Sequence, residues 1–155
     1  TCWSHSEPQY AEDGTQYESR FDKTVESEAN LLGVAFTNDG IMTGAPYEVK
    51  DASHWCFEGT GLKNGDTFGH RSLHQRIPGG ASGHETDKIS ASSPANAKLL
   101  AKGLNPDDGG AEIVCFGVPG GGHVFSVGSI SWPAALPVDE HVSQITRNVL
   151  QRFLD

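Results

Sequence analysis

The densest chemistry in the 155 residues is His84-Glu85-Thr86-Asp87, a base and two carboxylates within four positions, preceded by Gly79-Gly80-Ala81-Ser82-Gly83. On a strand, His84 and Thr86 would face one way and Glu85 and Asp87 the other, so acid/base or metal work could use only one face. A second histidine at helical spacing, as in an H-E-x-x-H zinc helix, does not follow. A solvated strand rim with Asp87 beside Lys88 is the plainer reading, because such charges usually sit in water. His84 and Glu85 stand as candidate binding residues. His5-Ser6-Glu7 has the His-x-carboxylate spacing found in two-histidine, one-carboxylate iron sites. Its polar surroundings would do little to fix the rotamers of His5 and Glu7, which leaves them weak metal candidates.

Other patterns resolve into turns or packing. Gly59-Thr60-Gly61-Leu62-Lys63-Asn64-Gly65 resembles a phosphate loop, but its third glycine is one place late and no helical apolar pattern follows. Gly120-Gly121-Gly122 reads as a hairpin turn. Ser82 near His84 lies in no G-x-S-x-G elbow, and Cys115 between Val114 and Phe116 reads as a packed thiol. Trp55 could line a pocket or close the core, and it is kept as a third candidate binding residue.

The elements that must position these groups are unevenly marked. Residues 1–27 form a polar entry segment without sustained period, and 28–155 hold the apolar clusters. Leu31 to Phe36 reads as a strand entering the Asn38-Asp39-Gly40 turn. His54 to Phe57 suits a strand end or one helical turn. Residues 76–82 look irregular, His84 to Ile89 could form a short strand, and Leu99-Leu100 could centre a strand or brief helix. Glu112 to Phe116 and His123 to Val127 read as an antiparallel hairpin. After Pro137, Asp139 can cap a helix carrying Val142, Ile145, Val149 and Phe153 inward, with Arg147 and Arg152 toward its end. Together these predict an α/β or α+β layering.

Composition bounds the function. A formal charge of -9, with 11 basic and 20 acidic residues, argues against nucleic acid or an anionic membrane as partner. No stretch reaches the roughly 20 apolar residues of a membrane span. Cys2, Cys56 and Cys115 are widely spaced and odd in number, which predicts reduced thiols and a cytoplasmic setting. Starting at Thr1 in a polar segment suggests a piece of a longer polypeptide whose remainder lies upstream.

Glu28 to Phe36, His54-Trp-Cys-Phe-Glu-Gly-Thr-Gly-Leu62, Ser82-Gly-His-Glu-Thr-Asp-Lys88 and Gly120 to Trp132, taken in order, resemble one family. It is the C-terminal region of the large (beta) subunit of N,N-dimethylformamidase and its homologues, and Ile145 to Phe153 is similar to that region's closing helix. The resemblance implies a class I glutamine-amidotransferase-like α/β region with an antiparallel hairpin and a C-terminal amphipathic helix. It also implies an amide hydrolase acting on a small formamide through mononuclear iron held by tyrosine, histidine and glutamate. The family's His-Pro-Glu-Tyr-Trp type segment is not among these residues, so the iron is expected outside them. The implied partners are the remainder of the large subunit or a second subunit. His84 stands where the family suggests an aromatic residue. The alternatives from other classes are a small-molecule-binding or subunit-assembly module without catalysis, and a sugar-utilisation protein of amidotransferase-like fold.

Overall fold

The computed structural model describes residues 9–10, 16–17 and 27–154. Its strands in chain order are β1 (Gln9–Tyr10), β2 (Gln16–Tyr17), β3 (Ala35–Thr37), β4 (Gly44–Ala45), β5 (Tyr47–Val49), β6 (Thr67–Phe68), β7 (Ser82–Gly83), β8 (Thr86–Lys88), β9 (Lys98–Gly103), β10 (Glu112–Gly117) and β11 (His123–Ser126). The helices are α1 (Ala29–Leu32), α2 (Trp132–Ala135) and α3 (Glu140–Leu154), with a 3-10 turn at Trp55–Phe57. Helix and antiparallel strand are mixed in partial sheets, consistent with an α/β class. Every strand pair among the described residues is antiparallel.

The main sheet has the order β11-β10-β9-β5-β6, and β3-β8 and β4-β7 are separate pairs beside it. β10 is central because both of its faces are apolar: Ile113 and Cys115 join the principal core, while Val114 and Phe116 lie against Gly33 at the end of α1. A strand buried on two sides reads as a continuous apolar run, which is what Glu112-Ile-Val-Cys-Phe116 shows. The hairpin forms as expected, with Cys115 opposite Phe125. β9 is a strand throughout, which decides between the two readings of Leu99-Leu100, and its register with β10 shifts between Ile113 and Val114.

α3 covers the other face. Asp139 caps it, its carboxylate accepting the Val142 amide at 3.1 Å. Val142, Ile145 and Val149 are buried at helical spacing. They meet Tyr47, Phe68 and Trp132, whose rings stack or meet edge-on at 5.6, 5.7 and 6.3 Å between centroids. Trp132 also donates its indole N–H to Thr146 at 3.1 Å, locking α2 to α3.

Three expectations need correction. Phe153 is not core: it is 46% exposed, since the helix runs one turn past the sheet it covers. Leu31 and Leu32 belong to a helical turn, not to a strand. Gly33 ends that turn at φ 80°, a left-handed conformation that glycine adopts without strain, and extended chain resumes only at Ala35. Ser82, expected in an irregular stretch, pairs with β4 together with Gly83. His5, Glu7 and Cys2 lie outside the described residues. Among those residues no helix is long and apolar enough to cross a membrane.

Two outcomes follow from this packing. Ile145→Ala should cost about 2–5 kcal/mol in denaturant unfolding, whereas Phe153→Ala, leaving no sealed cavity, should cost about 1 kcal/mol or less. Cys56 and Cys115 are free and buried, and burial pushes both thiols above the ordinary range. Neither should react with a thiol reagent in the folded chain, and both should react promptly once it is unfolded.

Candidate functional site

β7 and β8 bring the His84-Glu85-Thr86-Asp87 segment into the interior, but not as one continuous strand. β7 pairs with β4 and β8 with β3, so the chain must change partners between Gly83 and Thr86. It does so at His84, whose φ of 70° is left-handed and costs a non-glycine residue about 1 kcal/mol. Backbone bonds hold the residue there: His84 N–H donates to the Thr43 carbonyl at 3.1 Å, and the His84 carbonyl accepts from Met42 N–H at 2.9 Å.

The break changes which groups meet. His84 packs edge-on against His74, 5.0 Å between ring centroids, and its Nδ1 is buried without a hydrogen-bond partner. Thr86 is fully buried, its hydroxyl donating to the Gly109 carbonyl at 2.6 Å. The sharing of one face by His84 and Thr86 therefore fails, because the alternation of a strand does not survive a left-handed residue.

Glu85 and Asp87, in contrast, do share a surface. They line a cleft of about 300 Å³ together with Leu32, Val34 and the 126–130 segment. A third carboxylate reaches the same region. Glu28, just before α1, accepts the Phe36 amide at 3.1 Å through one oxygen and leaves the other buried without a partner. Asp87 responds to this surrounding: burial holds its carboxyl above the usual range, and the charges of Glu28 and Glu85 add to the effect. The nearby cations are engaged elsewhere, Lys88 with Asp39 and Asp108 at 3.8 and 3.5 Å, and Lys102 with Asp108 at 2.5 Å. The cleft can thus accept a cationic or hydrogen-donating group.

Glu28 had no signal in the sequence as a neighbour of Asp87. It lies far from Asp87 along the chain, and only the pairing of β3 with β8, which places Phe36 opposite Asp87, brings them together.

Trp55 belongs to a different place. His54 caps the 3-10 turn by accepting the Cys56 amide at 3.3 Å, and the Trp55 ring lies between His54 and Phe153 at centroid distances of 4.7 and 6.4 Å. Trp55 lines a second groove of about 200 Å³ with Glu58, Asn148, Gln151 and Arg152. Of the three candidate binding residues, Glu85 and Trp55 therefore line different cavities, while His84 packs against His74.

Two comparisons bear on these sites. The family described as N,N-dimethylformamidase beta subunit-like, C-terminal, matches residues 2–148. The chain is also similar to the N,N-dimethylformamidase beta subunit of Paracoccus aminophilus, at 31% identity over 80% of this chain and 19% of that protein. The protein of the same description from an Alcaligenes species is 29% identical over the same shares. The chain spans about a fifth of the length of the curated relatives it matches.

The carboxylate cleft gives a signed pH dependence. A carboxyl whose folded pKa lies above its unfolded value contributes stability below the unfolded pKa, and that contribution is lost as pH rises through the folded one. Asp87→Asn should therefore raise the melting temperature at pH 7, and the gain should shrink toward pH 3. A melting series of both proteins across that range checks it.

Proposed function

Because the chain belongs to the N,N-dimethylformamidase beta subunit-like, C-terminal family, we propose that it is the structural C-terminal portion of an amide hydrolase of that kind. The reaction is cleavage of a formamide C–N bond, giving formate and an amine. In this reading residues 28–155 supply the closing sheet and helix of a longer large subunit, and the acidic cleft faces its other parts. In the same reading this region is an α/β layer of the class I glutamine-amidotransferase-like kind. The observation that carries the reading is the family match over residues 2–148, beside relatives about five times as long that match 80% of this chain.

Among the described residues, the side chains that could supply a tyrosine, histidine and glutamate set do not converge. Tyr47 is fully buried with its hydroxyl donating to the Val127 carbonyl at 2.7 Å. His84 turns toward His74 while Glu85 lines the carboxylate cleft, so neighbours in sequence diverge in space. No group of three His, Cys, Asp or Glu side chains among the described residues could hold a metal ion. We take the tyrosine, histidine and glutamate set to come from elsewhere in the polypeptide, with the residues described here packing and positioning.

The test is metal content and formate release from dimethylformamide, measured on this chain and on the complete polypeptide that carries it. The chain alone should hold well under one equivalent of iron and release no formate. In the complete polypeptide, His84→Ala should lower the melting temperature and leave kcat/KM within about threefold. One tightly held iron per chain, lost on His84→Ala, would place the active site in this segment and overturn the reading.

A further inference from the structure

The 3-10 turn at Trp55–Phe57 is short, and a single side chain starts it. His54 has extended backbone, and its Nδ1 accepts the Cys56 amide at 3.3 Å, where an asparagine or serine oxygen accepts in the usual N-cap. A ring nitrogen that accepts carries no proton, so this imidazole is neutral with its hydrogen on Nε2. Asparagine or serine would accept at any pH near neutrality, whereas histidine accepts only while it is uncharged. Protonation puts a hydrogen on Nδ1, and two donors then face each other.

The fold leans on that bond. Cys56 is fully buried and Phe57 nearly so, and an amide left unpaired there is costly, so the turn must open once its cap is lost. The same turn is the part of the chain that α3 holds. The Asn148 amide group donates to the carbonyls of Cys56 at 2.9 Å and Glu58 at 2.8 Å. Trp55 and Glu58 line the groove beside α3, and the Trp55 ring lies 4.7 Å from the His54 ring. Opening the turn therefore takes down one wall of that groove.

The charges around His54 come from three elements. Burial holds the imidazole below its ordinary range. Asp51, in the same loop, opposes this, while Lys98 at the start of β9 and His123 at the start of β11 add to it. Asp51 itself is kept ionised, because the Ser53 hydroxyl and amide both donate to its carboxylate and hold it below the usual carboxylate range. A charged imidazole thus has an anion in its own loop to turn to.

We propose that His54 is a pH-operated latch on this turn: neutral, it closes Trp55–Phe57 against α3, and charged, it releases the Cys56 amide, turns to Asp51 and lets the groove wall open. A histidine whose folded pKa lies below its unfolded value contributes stability above the unfolded value, and that contribution is lost as pH falls through the folded one. Acid is therefore the opening signal. The latch is independent of the enzymatic reading and stands or falls separately from it.

Amide hydrogen exchange and imidazole chemical shifts, followed by NMR on the whole chain from about pH 7.5 to about pH 5, test it. The protection factor of the Cys56 amide, corrected for the intrinsic pH dependence of exchange, should fall about tenfold or more, with its midpoint at that of the His54 titration and below about 6.5. Asp51→Asn should move that midpoint lower. His54→Asn, which caps without titrating, should keep the Cys56 amide protected across the range, and His54→Ala should leave it unprotected throughout. Where the alanine variant does not fold, the asparagine variant decides alone. A Cys56 amide that keeps its protection while His54 titrates, a midpoint at or above about 6.5, or an asparagine variant that opens in acid as the unmodified chain does would each overturn the proposal.

Discussion

A buried hydrogen-bond knot around Ser82 and Asn105 fixes the position of nearly everything that is not the main sheet. The Ser82 hydroxyl donates to Asn105 Oδ1 at 2.6 Å and accepts the Ala111 amide at 3.1 Å. The Asn105 amide nitrogen then donates to the Thr43 hydroxyl at 2.9 Å and the Ser82 carbonyl at 3.1 Å. One pair of side chains thereby ties β7 to Thr43, just before β4, and to Ala111, just before β10. Ser129 adds a second tie, its hydroxyl donating to the Ala81 carbonyl and accepting the Gly83 amide, both at 2.8 Å. The close approach demands glycine: a Cβ on Gly103 would overlap Ser82 Oγ, and one on Gly110 would overlap the Gly103 carbonyl. Each buried polar group left unpaired here would cost about 1–3 kcal/mol, so the knot is stable only when complete.

The acidic cleft lies next along the chain and has its own ties. β8 is held between β3 and the 128–129 segment, with the Asp87 amide donating to the Gly128 carbonyl at 2.8 Å. With its backbone so fixed, the Asp87 carboxyl must accept whatever charges lie beside it, and Glu28 and Glu85 are those charges. A fold that sets three carboxylates together while spending its lysines on Asp39, Asp108 and Glu112 keeps an electrostatic cost that local rearrangement does not relieve. That cost falls on Asp87, which is half-buried, while Glu85 stays exposed to water.

What the sequence disclosed divides along local and non-local lines. α3 was legible because its cap and its apolar spacing are local: Asp139, Val142, Ile145 and Val149 fall where a helix of period 3.6 needs them. The hairpin of β10 and β11 was legible because a glycine turn separates two apolar runs. Phe153 fits the same period, yet the period says nothing about where the covered surface stops. The helical turn at Leu31-Leu32 was hidden by the apolar run that follows Gly33. At His84 the left-handed backbone is imposed by a change of pairing partners, which no four-residue pattern encodes. The knot itself joins residues 43, 82, 105 and 111, ordinary polar and small residues in turn-rich stretches, so its members carry no signature in isolation.

The central claim is that these buried polar groups serve structure and do so as a coupled unit. A double-mutant cycle between Ser82→Ala and Asn105→Ala, read by denaturant unfolding, tests this most directly. The account predicts a coupling free energy above about 1 kcal/mol, because either single change already strands the other partner. Additive losses would show that the two side chains act independently, and the knot would then not be what holds this part of the molecule in place.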